Sequence, residues 1–250
     1  MRTFLFRSLA FAAAALASIS IPAVASVVIS GTRVVYPAGD QEVTVKLSNE
    51  GKTPALVQVW ADSGDADAAP SEASAPFLIT PPVSRIDPEK GQTLRVAYTG
   101  EPLPQDRESV FWLNVLEIPP KPSDAQTANH LQFAFRSRIK VFFRPGQLPG
   151  QAVDAPAQAV WSLDGEAGGY VLSVHNPSAY HVTFTTIQAA AGGEKALFDD
   201  GLMVAPGETR RVPLKGRLTA PAGVQVRYEV VNDYGGLVTG EASTRPRVMH

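Results

Sequence analysis

The sequence contains no cysteine, and histidine occurs only four times. Without cysteine the chain has no disulfide, no thiol nucleophile and no cysteine–zinc site, so core packing alone must hold the fold. His175 and His181 flank a predicted turn, and two ligands are too few for a zinc site. Sequence patterns for nucleophile elbows, phosphate-binding glycine loops and zinc-protease helices are missing as well. An enzyme is therefore unsupported, and we predict neither a cofactor nor a bound metal.

Long hydrophobic runs are absent after the first 25 residues. At the start, Arg2 and Arg7 precede an apolar run from Leu9 to Ile21, and Ala23-Val24-Ala25 supplies the small residues that a signal peptidase reads. The run is shorter than the roughly 20 residues that cross a bilayer. We therefore predict a secretory signal peptide over residues 1–25, cleaved after Ala25, and no membrane insertion of the mature protein.

An excess of positive charge is also lacking. Removing Arg2 and Arg7 with the signal peptide leaves 20 basic residues against 24 acidic ones, a net charge of −4. Nucleic-acid-binding proteins usually carry a strongly basic patch, so this balance favours no nucleic-acid partner. The 225 residues that remain are enough for two domains, each of a size that can bury its own core.

Helical periodicity is missing after the signal peptide, and strand periodicity takes its place. Val43, Val45 and Leu47 alternate with polar neighbours, and similar runs recur between turns that use many of the 21 prolines and 20 glycines. This pattern predicts an all-β fold of β-sandwiches. The segment at residues 144–150, rich in proline and glycine, interrupts the strands. We predict an N-terminal domain at residues 26–145 and a C-terminal domain at residues 151–250.

Two further features have ordinary structural interpretations. The acidic stretch from Asp62 to Ala75 lacks the spacing of a calcium-binding loop, so we predict a solvated surface loop. Trp60, Trp112 and Trp161 lie inside predicted strands, and we predict that they belong to the core.

The most informative segment runs from Leu131 to Phe143. Its odd positions are apolar except at Ser137, and its even positions are largely basic. As one strand it would extend about 43 Å at 3.3 Å per residue, over twice the common length. An ordinary central strand with one face in the core explains the alternation but not the length. A strand that overruns its own sheet exposes an apolar edge that can pair with another chain, so we predict partner binding.

Several long strings resemble the PapD-like family of periplasmic pilus chaperones. They follow nearly the whole mature chain in the family's order, and they are Arg33–Gly39, Thr80–Pro82, Leu103–Val115 with Glu117–Pro120, Arg136–Pro145, Asn176-Pro177 and Asn232–Gly236. The short stretch from Lys121 to Asn129, together with the missing cysteines, is similar to the short-loop branch of this family.

The resemblance implies a fold, a location and partners. It implies two immunoglobulin-like β-sandwiches set at an angle, with a cleft between them, in a protein of the periplasm. Such a chaperone donates a β-strand to an incomplete pilus subunit, prevents its aggregation and delivers it to an outer-membrane usher.

The resemblance also implies three groups of site residues. Arg33 and Lys140 would anchor the C-terminal carboxylate of the subunit, which suits two cations in a partly desolvated cleft. The side chains expected to fill the empty core positions of the subunit are Leu131, Phe133 and Phe135. An ion cluster that joins the two domains maps to Glu108, Arg144 and Asp233.

Two other functions compete with this interpretation. A structural pilus subunit would usually carry a cysteine pair and lack one strand, whereas this chain has no cysteine and two complete sets of predicted strands. A secreted sandwich that binds carbohydrate or another small ligand would present clustered exposed aromatics. The three tryptophans are predicted in strands, which disfavours that alternative.

Overall fold

The computed structural model describes residues 26–120, 133–166, 169–216, 218 and 223–244. The predicted signal peptide at residues 1–25 and the predicted binding residue Leu131 lie outside this range. The described residues form 17 β-strands and one short helical segment, in which a 3₁₀ turn at Ala152–Asp154 runs into helix α1 at Ala155–Gln158. The predicted all-β, two-domain fold is confirmed.

The described part of the first domain forms nine strands in two sheets. They are β1 (Val27–Ile29), β2 (Arg33–Pro37), β3 (Val43–Asn49), β4 (Ala55–Asp62), β5 (Phe77–Thr80), β6 (Val83–Ile86), β7 (Gly91–Tyr98), β8 (Ser109–Ile118) and β9 (Phe135–Arg144). One sheet has the order β1-β3-β7-β5, and the other has the order β2-β9-β8-β4-β6. All pairs in the first sheet are antiparallel, and in the second sheet only β2 and β9 run parallel.

The core of the first domain lies between its two sheets and follows the alternation of each strand. Val57 and Val59 of β4 face inward together with Leu113 and Val115 of β8 and Val141 of β9, and each is at most 4 % exposed. Successive side chains of a strand point to opposite faces, so the even-numbered residues of β4, β8 and β9 share the outer face of this sheet. That outer face carries most of the site described below.

In the second domain, the residues that the structure describes form eight strands. They are β10 (Val160–Glu166), β11 (Gly169–His175), β12 (Val182–Ala191), β13 (Glu194–Phe198), β14 (Leu202–Val204), β15 (Thr209–Val212), β16 (Gln225–Val231) and β17 (Leu237–Ser243). One sheet has the order β10-β11-β15; the other has the order β13-β12-β16-β17, with β14 also paired to β12. The core packs around Trp161, whose ring contacts those of Phe184 and Tyr228 at centroid distances of 5.3 and 5.8 Å.

The two domains meet across a cleft. A cavity of about 680 Å³ opens there, and its walls include Arg33 and Phe142 from the first domain and Tyr180 and Val231 from the second. The turn between β16 and β17 reaches the first domain, because a Cβ on Gly235 would lie 2.7 Å from Oγ1 of Thr32. Substitution of this glycine would require Thr32 to shift and would strain the backbone, because Gly235 has a φ of 81°.

Candidate functional site

Strand β9 is paired along its whole length on one edge and along half of its length on the other. On the first edge β8 pairs with residues 135–143, from Glu117↔Phe135 to Ser109↔Phe143. On the second edge β2 runs parallel to β9 and pairs only from Arg33↔Lys140 to Pro37↔Arg144. No described strand pairs with residues 135–139 on this second edge, which we call the free edge. Its backbone groups are therefore available to another chain.

The observed strand begins later than the sequence pattern predicted. Phe133 and Ala134 precede β9 without strand pairing. The partner strand β8 ends at Ile118 and is followed by Pro119 and Pro120. Proline has no backbone N–H to donate to a ladder, and the described pairing between β8 and β9 ends at Glu117↔Phe135.

The apolar face of β9 divides into an exposed part and a buried part. Phe133 and Phe135 are 60 % and 47 % exposed, although both are large and aromatic. On the same face, Val141 and Phe143 are 1 % and 2 % exposed, and Ile139 packs against the core of the domain. The boundary between the two parts coincides with the point where β2 joins the sheet. The exposed phenylalanines flank the free edge and can contact whatever pairs with it.

Arg33 and Lys140 lie at the end of the free edge, as cross-strand partners in the β2–β9 register. Arg33 Nη1 donates a hydrogen bond to the carbonyl of Val231 at 3.1 Å, and its guanidinium lies 5.5 Å from the ring centroid of Phe142. Nε of Arg33 is buried and has no hydrogen-bond partner among the described residues. Within the same ranges, no carboxylate lies within ion-pair distance of Lys140. This corner of the cleft therefore holds two cations that the fold leaves without a direct acid.

Burial disfavours both charges at this corner. Burial lowers the pKa of Lys140, and the nearby Arg33 lowers it further. Burial also lowers the pKa of Arg33, although the charges of Asp233 and Glu108 partly offset this effect. An added carboxylate would relieve both penalties, since an opposite charge stabilises the protonated form of each group. The electrostatics of the corner suit an anionic ligand.

Glu108, Arg144 and Asp233 meet at the domain boundary. Arg144 donates from Nε and Nη2 to Oε1 of Glu108 at 3.0 and 2.8 Å, and from Nη1 and Nη2 to the two oxygens of Asp233 at 2.7 and 3.0 Å. Burial opposes the charge of Arg144, but the bonds to Asp233 and Glu108 outweigh it and raise the pKa of Arg144. The backbone N–H of His181 donates to the other oxygen of Glu108 at 2.9 Å. One arginine thus binds acids from both domains.

We expect Asp233→Asn to weaken the junction between the domains. The substitution removes one charge-assisted contact to Arg144, but the side chain of Asp233 is 36 % exposed, so the loss should be about 1–2 kcal/mol in the free energy of unfolding. Melting curves would measure the loss, and small-angle scattering would report a broader distribution of domain arrangements. Asp199→Asn is the matched control, because Asp199 pairs with Lys215 on the exposed surface of the second domain. Equal melting and scattering for both variants would contradict the junction role.

The outer face of β9 carries a polar network that the sequence analysis missed. Arg138 binds the carboxylate of Asp62 through Nη2 and through Nε, the latter at 3.2 Å. Asn114 Nδ2 donates to Asp62 Oδ2 at 2.7 Å, and Asn114 Oδ1 accepts from Arg136 Nε and Nη2 at 2.9 and 2.7 Å. Burial would raise the pKa of Asp62, yet the bonds from Arg138 and Asn114 lower it. Asp62 is only 1 % exposed and therefore holds a buried, fully paired charge.

Two tryptophans and one loop complete this network. The guanidinium of Arg136 lies 4.7 Å from the ring centroid of Trp60, and that of Arg138 lies 4.7 Å from the ring centroid of Trp112. Arg136 Nη1 also donates to the carbonyl of Ala66 at 2.6 Å, which ties the loop after β4 to β9. Each arginine is therefore held at a ring and by at least one oxygen.

These contacts correct two predictions. Trp60 is buried at 8 % exposure, but its ring lies on the outer face of the sheet beneath Arg136 and not in the core between the sheets. Trp112 lies on the same face beneath Arg138, and of the three tryptophans Trp161 belongs to a core cluster, as predicted. Asp62 was assigned to a solvated loop, but it ends β4 and is buried. The parity of the strands contained this information, because Trp60 and Asp62 alternate with the inward Val59 and Ala61. What the sequence could not supply was the register that places them against β9.

Comparison with known families matches both halves of the chain. Residues 26–149 match the model described as pili and flagellar-assembly chaperone, PapD N-terminal domain. Residues 154–242 match the model described as pili assembly chaperone PapD, C-terminal domain. Among the described residues, no helix has the length and apolar character needed to cross a membrane.

Individual relatives extend over most of the chain. The probable fimbrial chaperone YadV of Escherichia coli K12 is 43 % identical over 89 % of this chain and 92 % of its own length. The chaperone protein FimB/FhaD of Bordetella pertussis is 44 % identical over 94 % of each chain. The crystal structure of the YadV chaperone superimposes with a TM-score of 0.76 over 88 % of this chain and all of its own. The SafB chaperone, from its complex with the Salmonella enterica SafA pilin, is 26 % identical to this chain. It superimposes with a TM-score of 0.70 over 89 % of this chain and 98 % of its own.

Proposed function

Because the chain belongs to the PapD family of pilus-assembly chaperones, we propose that the free edge of β9 is where it caps a pilus subunit. The protein is a fimbrial chaperone, and its function is to bind pilus subunits rather than to catalyse a reaction. Addition of a strand to an exposed sheet edge is a known mode of recognition, and chaperone–pilin complexes are an established example of it. The single observation that carries the proposal is that pairing on the second edge of β9 starts only at Lys140.

The geometry favours one direction for the incoming strand. The free edge covers five residues, about 16 Å at 3.3 Å per residue, and β2 occupies the remainder of the same edge. A subunit strand that runs parallel to β9 would point its C-terminus toward Arg33 and Lys140. An antiparallel strand would bring its N-terminus there and add a third positive charge. The two unpaired cations therefore favour the parallel arrangement, with the terminal carboxylate as their ligand.

The exposed aromatic side chains would supply the apolar part of the binding energy. Phe133 and Phe135 project from alternate positions on the face that continues into the domain's own core. We propose that they, with Leu131 upstream, fill the positions that an incomplete subunit leaves empty. Burying each phenylalanine should contribute roughly 1.5–3 kcal/mol before the cost of ordering the chains.

Hydrogen exchange of the chaperone with and without subunit tests strand addition. We expect amides of residues 135–139 that face the free edge to become protected when a pilus subunit binds, because a new ladder would form there. Amides of residues 141–143 lie within the existing sheet and serve as an internal control. A subunit that binds while residues 135–139 exchange as in the free protein would contradict the proposal.

Membership in the family also supports proposals about location, delivery and domain limits. We propose that the protein is exported to the periplasm with cleavage after Ala25, and that the capped subunit is delivered to an outer-membrane usher. Protein sequencing from periplasm should then read Ser26 first, and an intact Met1 would contradict the cleavage. We also propose that the domains span residues 26–145 and 151–250.

A further inference from the structure

Among the described residues, the free half of β9, residues 135–139, has a neighbouring strand on only one edge. Ordering a residue's backbone costs about 1–2 kcal/mol, and half of a ladder returns fewer hydrogen bonds against that cost. Two arginines at positions 136 and 138 also share one face of this segment and repel each other. Contacts other than pairing with β8 can therefore add to what keeps the segment extended in the free protein.

The network on the outer face supplies the missing constraint. Arg138 is held by the carboxylate of Asp62, and Arg136 is held by the side-chain oxygen of Asn114, at the distances given above. Asn114 in turn donates to Asp62, so the two partners of the arginines also fix each other. The partners sit on the neighbouring strands: Asn114 of β8 lies opposite Arg138, and Asp62 of β4 lies opposite Trp112. The network therefore spans three strands and ends on the free half of β9.

We propose that Asp62 and Asn114 are positioning residues for subunit binding, which hold the free half of β9 in its extended shape through Arg138 and Arg136. This inference rests on the function proposed above. The network lies on the opposite face of β9 from Phe133 and Phe135, so it is not part of the apolar surface that these residues offer to a subunit. Its contribution is preorganisation: the ordering cost of the strand is met during folding and not at the moment of binding.

The side chains of Arg136 and Arg138 are themselves fixed in place, so the network can restrain the strand that carries them. Arg136 and Arg138 are 27 % and 22 % exposed, and each is stacked on an indole as well as hydrogen-bonded. A planar guanidinium that is fixed by both a ring and an oxygen loses most of its rotamer freedom. Because Asp62 is almost wholly buried, its charge has no alternative partner in solvent, and it stays bonded to Arg138.

Hydrogen exchange of the free chaperone separates positioning from general stability. We expect Asp62→Asn to speed exchange of the β8-bonded amides within residues 135–139 about tenfold relative to those within residues 141–143, since the negative charge that binds Arg138 is lost. The stability control is Val57→Ala, which opens the core under β4 and leaves the network intact. It should lower the melting temperature without changing the ratio of the two exchange rates. The double variant Asp62→Asn/Arg138→Gln should show less than the sum of the single effects.

The rate of subunit capture provides the second measurement. The subunit is one that co-purifies with the wild-type chaperone and is then separated from the chaperone in denaturant. We expect Asp62→Asn to slow capture about tenfold per folded molecule, and Val57→Ala to leave it unchanged.

Normal capture and a normal exchange ratio in Asp62→Asn would overturn the positioning role, even if the variant melts earlier. Should Asp62→Asn not fold, Arg136→Lys at the rim of the network carries the same test. Loss of capture in Lys140→Met beside normal capture in Asp62→Asn would overturn only this inference, whereas normal capture in both would also overturn the carboxylate anchor proposed above.

Discussion

Phe133→Glu is expected to abolish subunit capture while the melting temperature stays within a few degrees of wild type. Phe133 is 60 % exposed in the free protein, so a glutamate there faces water and costs the fold little. In the proposed complex the same carboxylate would enter an apolar groove without a partner, at a cost of several kcal/mol. Capture by purified protein and thermal melting are the two measurements.

The companion variant Val141→Glu should behave in the opposite way. Val141 shares the face of Phe133 but is 1 % exposed in the core of the first domain, so the buried carboxylate should unfold that domain. Val83→Glu is the control for surface chemistry, because Val83 is an exposed apolar residue of the same domain at 50 % exposure but lies on the edge strand β6. It should preserve both capture and melting. If Phe133→Glu unfolds the protein as Val141→Glu does, residue 133 belongs to the chaperone's own core.

Lys140→Met is expected to lose subunit affinity without losing stability. A charge-assisted bond to the terminal carboxylate contributes about 1.5–3 kcal/mol, which corresponds to a loss of roughly 10- to 150-fold in affinity. The pKa of Lys140 is lowered in the folded protein, so the fold disfavours its charge, and a neutral side chain of similar length removes that penalty. The free energy of unfolding should therefore stay equal or rise. Lys46→Met, at an exposed position of β3, is the matched control and should change neither quantity.

The same pKa shift fixes the direction of two pH dependences. Since the folded pKa of Lys140 lies below its unfolded value, raising the pH through the folded value neutralises the side chain first in the folded state and increases stability. Subunit affinity should fall over the same interval, because the carboxylate loses one of its two cations. In Lys140→Met this part of the affinity profile should be flat. A profile that is unchanged in the variant would mean that Lys140 does not touch the carboxylate.

The alternation along residues 131–143 was enough to predict the two faces of β9. Hydrophobic period reports which side chains share a face, and the structure places Ile139, Val141 and Phe143 together at the core. It does not report where a neighbouring strand starts. The late start of β2 at Arg33, which creates the free edge, depends on a parallel pairing between segments more than 100 residues apart.

The network around Asp62 shows a different limit of the sequence. The sequence shows that Asp62, the two arginines and the two tryptophans are present, but which of these side chains contact each other depends on the register among β4, β8 and β9. A tryptophan in a strand is usually buried in a core, and the stacking of arginine on its ring could be recognised only with the neighbours in place. The roles assigned to Arg33, Lys140, Phe133 and Phe135 came from family resemblance and stay predictions.

Strand β2 has a consequence for which part of a subunit the chaperone can recognise. Its backbone continues along the same edge of β9 directly beyond the free edge, so an incoming strand cannot pass through and must stop. In the proposed complex the paired strand therefore ends at the corner of Arg33 and Lys140, where two cations can bind its terminal carboxylate. A subunit truncated before its last residues would leave the corner at Arg33 empty, and one extended past them would collide with β2. The site would therefore respond to where the subunit chain ends as well as to the apolar pattern of its last strand.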